Sequence, residues 1–384
     1  MHIRWRRQDS PGFIGWLASQ IRDPIRRLRF LRRFAPPLGR KGRSPAAQVL
    51  LQVIPAMAVA AAVSLMLTRA SAHLSPAPVP VTHAPRVEQI SSAHGTEVWP
   101  VDHQAGFETW SNGLRIDDRY RVDNRPRSYV AFRVDDPRDT VGVHRSDPAG
   151  IVFHTTESEQ VPFDSLESDH LRRIGESTVE YIKRERAYNF LIDRFGRVYR
   201  VVPEDQAANH AGYSVWADEN WLYLNLNDSF LGVSFEARTE PGQTQSSVTP
   251  AQIRAASMLI EMLRSRYGIP AGNCVTHGQV SVNPDNMRVG YHTDWASAFP
   301  FEAVGLPENY TRPLPALWAA GFEYDSAFLT AAGERMSDAL EVADRMLVVR
   351  AARLSITPAA YRAILQKSYR ARLAVTRQSA TATE

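Results

Sequence analysis

Residues 188–212 read YNFLIDRFGRVYRVVPEDQAANHAG, two apolar stretches on either side of a polar turn. Tyr188–Leu191 and Val198–Val202 carry the β-branched and aromatic side chains of strands. Arg194-Phe195-Gly196-Arg197 between them supplies the glycine that a tight connection needs, so the segment predicts a β-hairpin. Upstream, apolar residues recur at helical spacing over about 169–186, with Leu171, Ile174, Tyr181 and Ile182 on one side. Before that helix, Gly150-Ile151-Val152-Phe153 is a short apolar strand that ends at His154. Downstream, Leu231–Phe235 is a second apolar strand. Thr249-Pro250-Ala251-Gln252 then starts a helix: Thr as N-cap, Pro in the first position and Gln completing a capping box. That helix runs through Ile253, Ile260 and Leu263 and stops near Gly268. Strands alternating with two long helices predict an α/β fold, a mixed central β-sheet flanked by helices.

The outer parts differ in composition. Residues 1–44 hold twelve Lys/Arg against Asp9 and Asp23, a net of +10; the whole chain is +4, which leaves −6 for residues 45–384. The basic character therefore belongs to an N-terminal arm, and the mildly acidic body argues against nucleic acid as a partner. Next to the arm, residues 46–67 are apolar except for Gln48, Gln52, Pro55 and Ser64. At ~1.5 Å per residue this run spans about 33 Å as a helix, enough to cross a bilayer core. Residues 45–69 are thus expected to be an N-terminal transmembrane helix, with the Arg-rich arm cytoplasmic and the body outside, in the periplasm or cell envelope. Cleavage after Ala72 in Ala70-Ser71-Ala72 would instead secrete the body. Residues 70–105 read as a Pro-rich linker and 106–147 as a β-extension, where Leu114, Ile116, Tyr120 and Val122 alternate with charged residues. Residues 148–303 form the main domain and 304–384 a helical C-terminal region. The single cysteine, Cys274, permits no intramolecular disulfide and excludes a thiolate-rich zinc site.

Three residues suit a catalytic metal. His154 ends a strand, His277 follows the apolar Cys274-Val275, and Asp294 lies in Tyr291-His292-Thr293-Asp294-Trp295. Zinc accepts imidazole nitrogen and carboxylate oxygen, and a catalytic site keeps three protein ligands with one position open. Water in that position has its pKa lowered to about 7.

The same segments resemble the zinc-dependent N-acetylmuramoyl-L-alanine amidases and peptidoglycan recognition proteins. IVFHTTES (151–158) is similar to the strand presenting the family's first metal histidine. Residues 188–212 are similar to its hairpin, including the Asp-Arg-x-Gly turn and the closing His-Ala-Gly. LGVSFEAR (231–238) resembles its glutamate-bearing strand, and THGQVSVNPDNMRVGYHTDW (276–295) the segment of its second and third ligands. The resemblance covers about 150 residues, under half the chain. It implies Zn2+ on His154, His277 and Asp294, with Glu236 as the general base for water attacking the lactyl amide carbonyl. It places the Tyr188 hydroxyl near the metal, as a donor to the oxyanion or substrate. His210 lies beside the cleft and Arg288 on a loop near it, both as substrate contacts. Two departures stand out. A lysine usual two residues before the third ligand is His292 here, expected to take that lysine's role or else to displace Asp294 as ligand. The stretch between His277 and Asp294 is also long, with Asn283-Pro284-Asp285-Asn286 looped out and Asp285 as a reserve ligand.

The expected activity is hydrolysis of the amide between the lactyl group of N-acetylmuramic acid and L-alanine of the peptidoglycan stem peptide, with peptidoglycan or muropeptides as partners. The competing readings are a catalytically inactive muropeptide-binding module and an envelope scaffold working through 304–384. The sequence names no protein partner.

Overall fold

The structure, a computed structural model, describes residues 97–381. The basic arm, the apolar run 46–67 and the linker up to residue 96 lie outside the described residues. Among the described residues no helix is long and apolar enough to cross a membrane.

The strands, in chain order, are β1 (Pro100–Gln104), β2 (Phe107–Trp110), β3 (Arg115–Asp117), β4 (Tyr129–Arg133), β5 (Val143–Arg145), β6 (Gly150–Thr155), β7 (Phe190–Ile192), β8 (Val198–Arg200), β9 (Val215–Ala217), β10 (Trp221–Leu224), β11 (Phe230–Phe235), β12 (Cys274–Thr276), β13 (Val282–Asn283) and β14 (Arg288–Val289). The long helices are α1 (Ser168–Glu185), α2 (Pro250–Tyr267), α3 (Ser326–Arg353) and α4 (Pro358–Thr381). The main sheet runs β1-β2-β3-β8-β7-β11-β6-β12, and a smaller one runs β5-β4-β10-β9. At the centre, β11 pairs in parallel with β6 and β7, and β12 with β6. Every residue of β6 and β11 is buried, as expected of parallel strands covered on both faces.

Alternation along these strands decides which side chain meets which layer. Ile151, Phe153, Val233, Phe235, Phe190 and Ile192 share a core with Ala255, Leu259 and Leu263 of α2. On the other face, Leu191 and Tyr199 pack with Val179 and Ile182 of α1. Helix α2 has the predicted capping box at Thr249 and Gln252, with Gly268 at φ 64° closing its C-terminus. The Gln252 amide also donates to the Ile192 and Glu236 carbonyls, at 3.1 and 3.2 Å. The same cap that starts α2 thereby fixes the strand ends beside the site.

Several expectations are corrected. The linker 70–105 ends earlier, since residues 100–104 form β1. The β-extension is not an appendage: β1–β3 continue the main sheet through the parallel pairing of β3 with β8, and β4 and β5 enter the smaller sheet. Buried Arg200 secures that junction by pairing with Glu108, Asp118 and Glu204. The hairpin strand starts at Phe190 and not at Tyr188, because Tyr188 adopts φ 58° and is not extended. The C-terminal region carries the helices α3 and α4 and the one-turn segment Pro315–Trp318; among the described residues, the one departure from a regular helix there is the break of α3 at Gly333 (φ 69°).

Helix α4 lies on the smaller sheet. Buried Arg372 donates to the carbonyls of Arg133, Asp136 and Asp139 at 3.1, 2.6 and 2.7 Å, and Ser368 donates to that of Pro137. Replacing Arg372 with Met keeps the apolar stem and strands three carbonyls without their donor. The expected cost is about 2–4 kcal/mol, read as a lowered urea midpoint at unchanged m-value; an unchanged midpoint would refute this anchoring role.

Candidate metal centre

The parallel register sets the site. His154 lies near the C-terminal end of β6, level with Ser234 of β11 and, through it, with Leu191 of β7. Strand β12 ends at Thr276, and His277 starts a one-turn helix with its own Thr276–Gln279 capping box. Gly278 lets the segment bearing Asp294 close over this turn: a Cβ there would lie 2.5 Å from the Ala296 Cα, and Gly278 N–H donates to the Asp294 carbonyl at 2.9 Å.

His154, His277 and Asp294 converge, each offering a ligand atom within 4.8 Å of the others. The Asp294 carboxylate faces both rings, with Oδ1 2.8 Å from His277 Nδ1 and Oδ2 3.2 Å from His154 Nδ1. Burial would raise this carboxyl, but the electrostatic pull of His277 and, after it, of His154 holds it well below the usual carboxylate range. Burial, helped by the neighbouring His277, lowers the His154 imidazole to about 4. Two imidazoles and one carboxylate, almost closed off from water, suit a dication such as zinc. His277 supports the fit, because its Nε2 is buried with no hydrogen-bond partner.

The remaining predicted residues are placed as follows. The Tyr188 ring lies 5.0 Å from that of His154, and burial raises its phenol. Its φ of 58° is rare for a bulky residue, a strain typical of functional sites. His292 stacks on His277, ring centroids 4.9 Å apart and planes at 22°. It is Asp294 and not His292 that the structure groups with His154 and His277. Glu236 lies two residues beyond Ser234, on the His154 face by alternation. Its Oε2 accepts from Arg194 N–H at 3.3 Å, its Oε1 is buried without a partner, and burial raises its carboxyl to about 7. No described hydrogen bond joins Glu236 to the three converging residues. Arg288 is not brought to the group: it sits on β14 and pairs with Asp325 at 3.4 Å. Asp285 lies exposed on its loop. His210, expected as a substrate contact, lies with its Nδ1 3.1 Å from Nε2 of His154.

Two supporting residues were not singled out from sequence. Ser234 is the register neighbour of His154 on β11, which alternation back from Glu236 would have indicated. Asn227 fixes His210-Ala211-Gly212, its Oδ1 accepting from all three backbone N–H groups at 2.8, 2.6 and 3.0 Å; no local pattern announces that contact. A cavity of about 800 Å3 lined by Tyr129, Arg145, Asp218, Trp221 and Arg312 contains none of the predicted site residues.

Residues 144–294 match the family described as N-acetylmuramoyl-L-alanine amidase. The N-acetylmuramoyl-L-alanine amidase AmiD of Escherichia coli (strain K12) is 33% identical over 92 residues, 22% of this chain and 31% of that protein. The matched part thus spans under a third of that relative. Among solved structures, the complex of E. coli AmiD with anhydro-N-acetylmuramic acid-L-Ala-D-gamma-Glu-L-Lys is 17% identical, covering 70% of this chain and 97% of that one, at a TM-score of 0.32. AmpDh3 of Pseudomonas aeruginosa in complex with anhydromuramic pentapeptide is 21% identical, covering 58% and 89%, also at 0.32. The segment that the family model matches, residues 144–294, contains the two histidines and the aspartate of the converging group.

Proposed function

We propose that the domain is a zinc-dependent amidase cleaving the bond between the lactyl group of N-acetylmuramic acid and the L-alanine of the stem peptide. The observation that carries this reading is the convergence of His154, His277 and Asp294 inside the segment matched by the family. A zinc ion held by these three would act as a Lewis acid on the amide carbonyl and make hydroxide available at neutral pH.

The chain's own residues have separate tasks. His154 and His277 offer imidazole nitrogens and Asp294 a carboxylate oxygen, a donor set that suits a dication. Glu236 takes the proton from the attacking water: a carboxyl raised to about 7 is ionised enough to accept it and acidic enough to pass it to the leaving amine. Tyr188, held beside His154, donates its hydroxyl to the carbonyl oxygen as charge develops there. His292, stacked on His277, does the same as a neutral donor. That substitution of imidazole for lysine also favours a second reading, a domain that binds muropeptides without turning them over. For localisation, the apolar run 46–67 behind a basic arm supports an anchored protein whose amidase domain works outside the cytoplasm.

With the purified full chain, muropeptides should yield free stem peptide and peptide-less glycan by mass spectrometry. A chelator should abolish the products and added zinc restore them. His277→Ala should lose both zinc and turnover, and full activity in that variant would refute the metal reading. Binding without products, in zinc-loaded protein, would instead establish the recognition module.

Glu236→Gln should separate stability from activity. Because the folded carboxyl is raised, ionising it opposes folding: the wild type loses stability as pH rises from its unfolded value through about 7. The Gln variant should be more stable than wild type at pH 8, by up to about 3 kcal/mol, and no more stable at pH 4. Turnover should drop by about 10²–10⁴-fold, and undiminished turnover would remove Glu236 from the mechanism.

A further inference from the structure

His210 forms a chain of contacts that ends at a metal-ligand candidate. Its Nε2 lies 3.2 Å from the Phe230 carbonyl oxygen, and its Nδ1 lies 3.1 Å from Nε2 of His154. On the far side of the His154 ring, Nδ1 faces Asp294 Oδ2 at 3.2 Å. We infer that His210 is a positioning residue: it fixes His154 in the tautomer whose proton is on Nε2, leaving the Nδ1 lone pair directed into the metal centre. The inference rests on the proposed metal site and adds to it the device that prepares one ligand.

The carbonyl decides the direction of the chain, since it can only accept. With one proton on each ring, His210 must carry its proton on Nε2 to donate to Phe230. Its Nδ1 is then an acceptor, and His154 Nε2–H donates to it. The reverse arrangement would turn a bare His210 Nε2 toward the Phe230 oxygen, setting two acceptors 3.2 Å apart at a half-buried ring. The direction allowed by the carbonyl sets His154 Nδ1 and Asp294 Oδ2 as two acceptors facing each other. That pairing is unfavourable until a cation lies between them, which is the condition of a metal site.

The surroundings hold His210 in this position. Asn227 gathers the three N–H groups of residues 210–212 on one oxygen. Gly232 gives the ring its seat against β11: a Cβ there would lie 2.6 Å from the His210 Cγ. The ring therefore sits between a strand without a side chain at that point and the ligand it orients.

The test uses full chain labelled with 15N-histidine, with a His154→Ala spectrum to assign the signals. In metal-free wild type, His154 should be protonated on Nε2. His210→Asn places an amide oxygen where Nδ1 stood and should keep both that tautomer and wild-type zinc affinity. His210→Phe offers no acceptor; the His154 proton should move to Nδ1, toward Asp294, and the zinc dissociation constant, measured by chelator competition, should rise about 10–100-fold. A wild-type His154 protonated on Nδ1 overturns the inference, as does a folded Phe variant with unchanged tautomer and affinity. Should the Phe variant fail to fold, the wild-type spectrum alone still decides. If wild type binds no zinc, the metal reading fails, while the tautomer in the metal-free protein still tests the role of His210.

Discussion

One carboxylate faces two imidazoles, and the remainder of the site is arranged so that it can. Asp294 reaches His154 and His277 because β6 and β12 are parallel neighbours whose C-terminal ends lie side by side. Parallel strands deliver their carboxyl ends to the same edge, so residues separated by more than a hundred positions meet without any loop having to travel far. Gly278 then lets the Asp294 segment fold over the turn after β12. The donor set is thus a product of strand direction, with a single loop supplying the charge.

Behind that edge the polar groups are arranged economically. The cap of α2 also binds two strand carbonyls. The Asp193 carboxylate organises the hairpin turn, accepting from the N–H groups of Phe195 and Arg197, while the Arg194 N–H goes to Glu236. The turn therefore supplies the donor that partly stabilises a buried acid. A carboxyl with one oxygen bonded and the other bare is an expensive thing to keep in a protein core, and such expense is tolerated mainly where chemistry uses it.

The elements with local signatures were legible in the sequence, and those made by distant contacts were not. Helix α2 announced its start through Thr249, Pro250 and Gln252 and its end through Gly268. The strand ending at His154 was legible because a fully buried strand is a continuous apolar run. The membership of β1–β3 in the main sheet was not, because it depends on pairing Ile116 with Val198, and alternation shows that a strand exists without showing its neighbour. At the site, His154, His277 and Asp294 came from motif order and the structure brings them together. His210 was assigned to the substrate because motif order places it by the cleft; only coordinates could show its ring turned toward His154. Tyr188 illustrates the opposite difficulty: a residue with strong strand preference held at positive φ by what surrounds it, which propensity cannot foresee.

The Arg372 clamp has a consequence for how the chain acquires its structure. The carbonyl of Arg133 receives a donor 239 positions later, so the smaller sheet is sealed only after α4 has emerged. A nascent chain has all three converging residues long before it has α4. Contacts of such separation slow folding, and until they form, the Phe132 face that the Arg372 guanidinium covers at 5.4 Å is open to solvent and to other chains. Helix α4 therefore closes the smaller sheet late in folding, and a chain lacking the Arg372 guanidinium would show it first as aggregation during synthesis.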